Sequence, residues 1–386
     1  MNKETLKRIV ERMLDLAVEI QQIPGPTFSE AARAAFVRAA FEREGLEDIS
    51  LDPLGNVYAR LPGAGQARPL VVSAHTDTVF PPGSDLKMRR EADRIFGPAI
   101  GDNSLGVSGL FGLLWALRER GKREGRGAAG AAGGENLLPG DLWLVANVGE
   151  EGLGDLRGMR AVVDRFAGEP LAYLVLEGMA LGQIYFRGLG VKRYRLTVRT
   201  AGGHSWVDYG RPSAIHELAG LATRLTALPL PSQPRTSLNV GVIAGGTSVN
   251  TIAAEAHLEL DLRSEGSQTL AWLSAQVEAL AKSAGRAGVN VTAEVIGERP
   301  VGQISKDHPL VRLAMRCLEK QGIQPCLNVG STDANVPLSR GLPAVCIGLT
   351  SGSGAHTSGE YINLPPLVQG MGQLVALVEG AWPALA

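Results

Sequence analysis

Three apolar runs in this chain end in groups able to hold a cation or move a proton. Leu70 to Ala74 leads into His75-Thr76-Asp77, Leu142 to Val148 into Gly149-Glu150-Glu151-Gly152, and Leu171 to Leu176 into Glu177-Gly178. Short continuous apolar runs predict buried strands of a largely parallel sheet. Open α/β sheets bind ligands outside the carboxyl ends of such strands. Period-two geometry puts His75 and Asp77 on the same side, so Asp77 can hold one ring N–H while the other nitrogen faces a metal. Glu150 and Glu151 are adjacent like charges, which raise one another's pKa unless a cation divides their duties. Asp102 stands in a glycine-crowded loop just ahead of a helical pattern that begins at Leu105. Each of these residues also has a purely structural role open to it: a strand-end His, an N-cap or Asx-turn Asp, a solvated acidic turn. The repetition at three strand ends argues against chance.

A late loop, Ser351-Gly352-Ser353-Gly354-Ala355-His356-Thr357, adds a second imidazole. His75, Asp102, Glu151, Glu177 and His356 together offer two imidazoles and three carboxylates, a mixed N/O set that suits zinc or a similar divalent ion. With one carboxylate shared, five side chains give three ligands to each of two ions. Two metals about 3.5–4 Å apart is the arrangement of aminopeptidases and related hydrolases.

The elements that must position these groups follow from the pattern. Leu6, Ile9, Val10, Met13, Leu14, Ala17 and Ile20 predict an amphipathic first helix. A second helix is expected from about Ser29, as N-cap, to Glu44, with Gly45 just past its end. The stretch 122–140, rich in Gly and Ala, reads as a surface insertion without chemistry. Near Leu189 the texture changes. Val191 to Thr200 alternates apolar and polar residues, and Leu258, Leu260 and Leu262 face away from Glu259, Asp261 and Arg263, as in one-sided antiparallel strands. The βαββαβ order of this stretch predicts a ferredoxin-like α+β unit with an edge open to pairing. From Pro300 the α/β texture returns. We therefore expect an α/β domain of residues 1–188 and 300–386, interrupted by an inserted α+β domain of residues 189–299.

Bulk properties exclude several classes. With 386 residues the chain is too long for one ordinary core. A net charge of -1 argues against nucleic acid or an anionic membrane as main partner. Cys317, Cys326 and Cys346 form no CxxC pair and suggest reduced thiols. Charged residues from Lys3 to Asp15 break any signal-peptide core, and no run of about 18 apolar residues is present, so a cytoplasmic protein is expected.

In motif order the chain resembles the two-zinc exopeptidase and deacylase family that includes peptidase T, acetylornithine deacetylase, succinyl-diaminopimelate desuccinylase, aminoacylase and glutamate carboxypeptidase. The resemblance rests on His75-x-Asp77, the loop Asp102, the Glu150-Glu151 pair, Gly202-Gly203-His204-Ser205 and His356-Thr357, and it spans essentially the whole chain. It implies a zinc-exopeptidase-like α/β catalytic domain with an inserted ferredoxin-like dimerisation or lid domain. It further implies two divalent ions, zinc first and cobalt or manganese as alternatives. Asp102 would bridge them, Glu151 and His356 would complete one site, and His75 and Glu177 the other. Asp77 would orient His75, and Glu150 would act as general base. His204 would reach across a homodimer to the partner's oxyanion, while Asn250 and Arg263 would bind polar substrate groups. The residues after the bridging Asp, Asn103 and Ser104, depart from many relatives and put local support of that loop in doubt. The implied reaction is cleavage of a terminal amide of a small peptide; the alternative is an N-acyl amino acid deacylase. A non-catalytic relative is the remaining possibility, and Glu150 argues against it, since a binding module needs no proton shuttle.

Overall fold

The three apolar runs form neighbouring parallel strands, Leu70–His75, Leu142–Asn147 and Ala172–Glu177. The computed structural model describes residues 2–123 and 138–385. Most of the Gly- and Ala-rich stretch 122–140 lies outside the described residues. In the central strand His75 pairs with Asn147 on one side, and Ser73 pairs with Val175 on the other. The sheet continues beyond Leu142–Asn147 through antiparallel Val57–Leu61 and Glu47–Leu51. Beyond Ala172–Glu177 it continues through parallel Ala344–Gly348 and then antiparallel Gln183–Gly188. The four central strands are therefore parallel to one another.

Both faces of these strands are buried, and that is why they read as continuous apolar runs rather than alternating ones. Leu70, Val72, Ala74, Leu174 and Leu176 share a core with the helices Lys3–Gln21, Ala31–Arg43, Gly106–Arg123 and Leu367–Leu385. Val71, Tyr173 and Val175 share the opposite core with the helix Arg157–Phe166. By the period-two rule His75 and Glu177 continue this second row of residues to the strand ends. The second helix starts at Ala31 and not behind a Ser29 cap. Its first flanking residue is Glu30, whose carboxylate accepts from Arg157 at 2.6 Å.

The chain divides by contact into one unit of Met1–Arg187 with Gln303–Ala386 and a second of Gly188–Gly302. The second unit is a four-stranded antiparallel sheet in the spatial order Thr236–Gly245, Glu255–Ser264, Gly190–Thr200, Val289–Arg299. Helices Ala214–Thr226 and Ser267–Ala284 pack on its apolar face against Tyr194, Leu196, Leu258, Leu260 and Leu262. This βαββαβ sandwich is ferredoxin-like. Among the described residues no helix is long and apolar enough to cross a membrane.

Candidate metal centre

Sheet register brings the end of the His75 strand beside the end of the Glu177 strand, and the loops after them fill the space above. His75 is only 1% exposed. Its Nε2 lies 3.1 Å from Asp102 Oδ1 and 3.7 Å from Glu177 Oε2. The other ring nitrogen, Nδ1, is 3.2 Å from the Asp77 carbonyl oxygen and 3.5 Å from Asp77 Oδ1. The backbone carbonyl is thus the nearer partner of the ring, where the carboxylate alone was expected.

The Asp77 carboxylate has further work. Its Oδ1 accepts the N–H of Glu150 at 2.9 Å, and its Oδ2 accepts the N–H of Glu151 at 2.9 Å and the Thr27 hydroxyl at 2.8 Å. Burial by itself would raise its pKa; the His75 ring and the two N–H donors reverse that and hold it below the usual range. Asp77 thereby ties the Glu150-Glu151 turn to the His75 strand.

Asp102 divides its two oxygens between the two imidazoles. Oδ1 faces His75 as described, and Oδ2 lies 3.1 Å from His356 Nε2. His356 Nε2 is also 3.2 Å from Glu151 Oε1, a buried oxygen that receives no hydrogen bond. Ligand atoms of His75, Asp102 and Glu177 lie within 4.8 Å of one another; so do those of Asp102, Glu151 and His356, and those of His75, Glu150 and Glu151. The donor set fits divalent cations. The buried Glu151 Oε1 faces an imidazole nitrogen without an aligned hydrogen bond, each imidazole turns one nitrogen toward carboxylates, and Asp102 belongs to two of the groups. The electrostatics agree. Asp102 and Glu151 push the exposed His356 up to about 10. His75 is driven well above its ordinary value by Asp102, Asp77 and Glu177, although burial opposes this. Burial pushes the Glu177 carboxyl up, and His75 only partly offsets it. Carboxylates crowded around two imidazoles raise the affinity of those rings for a proton, and the same negative charge favours a cation between them.

Close approach of the loops depends on small residues. A Cβ at Gly178 would sit 2.0 Å from the Gly101 carbonyl oxygen, so only glycine lets the Asp102 loop lie against the end of the Glu177 strand. The doubt over local support is resolved by Asn103. Its buried side chain donates to the Leu176 carbonyl at 2.8 Å and accepts from the N–H of Gly178 at 3.0 Å and of Gly106 at 3.1 Å. Asn103 therefore clasps the backbone on both sides of Glu177. Two acids that spacing did not single out also stand close by. Asp333, fully buried, accepts from the Asn147 side chain at 2.7 Å, and burial pushes it up to about 7. Glu360, equally buried, accepts from the N–H groups of Ala99, Gly101 and Asp102. Neither has a spacing signal: Asp333 meets a side chain from a distant strand, and Glu360 serves irregular backbone.

The remaining residues singled out in the sequence lie in the second unit. His204 is exposed, on a short ladder in which it pairs with Thr251. Its Nδ1 accepts from the N–H of Trp206 at 3.2 Å and of Val207 at 3.4 Å. That assigns the proton to Nε2, which makes Nε2 a donor. Asn250 is exposed and its carbonyl accepts the Ser205 N–H at 3.0 Å. Arg263 donates to Asp261 Oδ1 at 2.7 Å, a partner on its own strand.

Comparison with known proteins falls on both units. A model of the peptidase dimerisation domain matches residues 189–289, and a model of peptidase family M28 matches residues 56–168. The uncharacterized protein YqjE of Bacillus subtilis is 24% identical over 393 residues, 96% of this chain and 98% of its own. Succinyl-diaminopimelate desuccinylase of Methylocella silvestris is 29% identical over 71% of this chain and 73% of its own. Among solved structures, aminopeptidase PepT of Bacillus cereus superposes with a TM-score of 0.74 at 22% identity, covering 97% of this chain and 99% of that one. The chain carries the fold of aminopeptidase PepT. With two peptidase models upon it, it is a hydrolase of the peptidase kind.

Proposed function

We propose that the protein is a dinuclear zinc hydrolase that cleaves a terminal amide bond of small peptides. The observation that carries this reading is the split of the Asp102 carboxylate, one oxygen at 3.1 Å from each imidazole, between two ligand groups. In this reading Asp102 is shared, Glu151 and His356 complete one metal site, and His75 and Glu177 the other. Two ions held there would act as Lewis acids and lower the pKa of a water to near neutrality. Glu150 would take the proton of that water and pass it to the leaving amine. Its backbone N–H is pinned by Asp77, which is the support a proton shuttle needs to keep its geometry. His204, as an Nε2–H donor, would stabilise the oxyanion, and one such donor is worth about 2.7–4 kcal/mol in acyl transfer. Asn250 and Arg263 would bind polar groups of the substrate, Arg263 only by leaving Asp261.

Residues 189–299 would form the dimerisation and lid domain of a homodimer, a reading supported by the peptidase dimerisation model over 189–289. Three free cysteines fit a cytoplasmic protein. A second reading, deacylation of N-acyl amino acids, is favoured by the 29% identity to a desuccinylase. The deciding experiment measures purified protein on di- and tripeptides against N-acetyl and N-succinyl amino acids, with and without Glu150→Ala. Peptide turnover that falls about 10²–10⁴-fold in the variant, at unchanged metal content, is expected. Full turnover by Glu150→Ala would defeat the mechanism.

A further inference from the structure

The loop that carries His356 and the loop that carries Asp102 are joined at one buried carboxylate. Glu360 is completely buried, four residues after His356. Its Oε1 accepts the N–H of Gly101 at 2.7 Å and of Asp102 at 2.9 Å, and its Oε2 accepts the N–H of Ala99 at 3.1 Å. Its own carbonyl accepts the Gly97 N–H at 2.9 Å, and its N–H donates to Thr357 at 3.2 Å. The next residue, Tyr361, begins a short strand that pairs with Phe96. Four points of contact therefore hold residues 97–102 against the segment that follows His356. The N–H of Asp102 itself is one of them, which fixes the backbone from which the Asp102 side chain projects.

We infer that Glu360 is a positioning residue for Asp102, holding its carboxylate so that each oxygen faces a different imidazole. The geometry calls for a side chain with two acceptor oxygens here. Three N–H groups converge on it, two on Oε1 and one on Oε2. A glutamine offers a single acceptor oxygen and would set an NH₂ group against at least one N–H. An alanine would leave all three donors without that partner. Because Glu360 sits in the same segment as His356, loss of its grip would loosen the Asp102–His356 pairing more than the Asp102–His75 pairing.

This inference rests on the proposed metal site, and the test separates the two. Wild type, Glu360→Gln and Glu360→Ala are stripped of metal and titrated with cobalt(II). The readouts are bound ions per chain, the affinity of each ion, the visible spectrum, and the melting temperature of the metal-free chains. Two ions should bind wild type. The weaker ion should bind Glu360→Gln about 10-fold and Glu360→Ala about 100-fold less tightly, the range seen when groups behind a metal ligand are removed, with a shifted cobalt spectrum. Should Glu360→Ala not fold, Glu360→Gln decides. A lowered melting temperature with wild-type affinities and spectrum would mean that Glu360 merely stabilises the fold, and would overturn the inference alone. Failure of wild type to bind cobalt would overturn both it and the proposed function.

Discussion

Acids and bases line the strands of both units, but at opposite depths. In the first unit they stand at the ends of strands buried on both faces. His75, Asp77, Glu150 and Glu151 are all buried, and Asp77 alone meets two N–H groups and a hydroxyl. In the second unit they stand along the outer face of a one-sided sheet. Asp261 lies opposite Arg193, Glu259 opposite Arg195 and Glu255 opposite Arg199, each a cross-strand ion pair of 2.7–3.0 Å. These outer-face pairs cap a sheet whose other face carries Leu258, Leu260 and Leu262. The chemistry of the side chains is the same in both places. What differs is the cost of removing them from water, which is small at a surface and several kcal/mol in a core. A cluster of buried acids persists only where backbone donors or cations compensate it, and the first unit supplies the donors while leaving Glu151 Oε1 without one.

Substitutions in the buried set should therefore cost much more than the same change on the outer face. The largest effect is expected at Asp102. On the proposed dinuclear reading, Asp102→Ala removes an oxygen donor from both candidate groups, so bound metal should fall from two ions to at most one. Hydrolysis should drop further than the roughly 10²–10⁴-fold expected of a lost general base. Metal analysis beside steady-state rates checks this, and a variant that keeps both ions would break the contrast outright. Next is Asp77→Ala, which strands the N–H groups of Glu150 and Glu151 together with the Thr27 hydroxyl. Urea unfolding of the metal-free chain should show about 3–5 kcal/mol less stability, the penalty of breaking a buried charged contact. Asn103→Ala comes third. It frees the Leu176 carbonyl and two N–H groups, and about 1–3 kcal/mol should be lost in the same assay, with weaker metal binding through the displaced Glu177.

What could be read ahead of the structure follows the same division. Polar groups at strand ends are legible because the apolar runs that lead to them are long and uninterrupted, so His75 and Glu177 fall at predictable places. The outer face of the second unit is legible through alternation, as at Leu258, Glu259, Leu260 and Asp261. Groups that hold irregular backbone are not. Glu360 and Asn103 bond to N–H and C=O groups of loops that have no period, and nothing in local sequence tells a buried loop acid from a solvated one. Arg33 makes the same point from a helix. It falls within the helix expected from about Ser29 to Glu44, where nothing sets it apart, yet it is buried and donates to the carbonyls of Ile23 and Thr76. Gly25 leaves it room, since a Cβ there would lie 2.6 Å from the Arg33 side chain.

The smallest expected effect sharpens the comparison from the other side. Asp261 is bonded to Arg263 at 2.7 Å and to Arg193 at 3.0 Å. Partial burial would raise its pKa, but the two guanidinium groups outweigh this and leave it lowered. A carboxylate whose folded pKa is depressed adds stability above its unfolded pKa, near 3.9, and loses it as pH falls through the folded value. Asp261→Asn should therefore cost about 1 kcal/mol or less at neutral pH, as solvent-screened pairs do. The deficit should shrink below about pH 5 and vanish once wild type is itself protonated. Exchange protection of the Leu258 and Leu260 amides, followed with pH in both proteins, reads this out within the second unit. A deficit of several kcal/mol, or one that persists undiminished to acid pH, would mean that the outer-face charges are held as tightly as the buried acids of the first unit. Depth would then not separate the two sets.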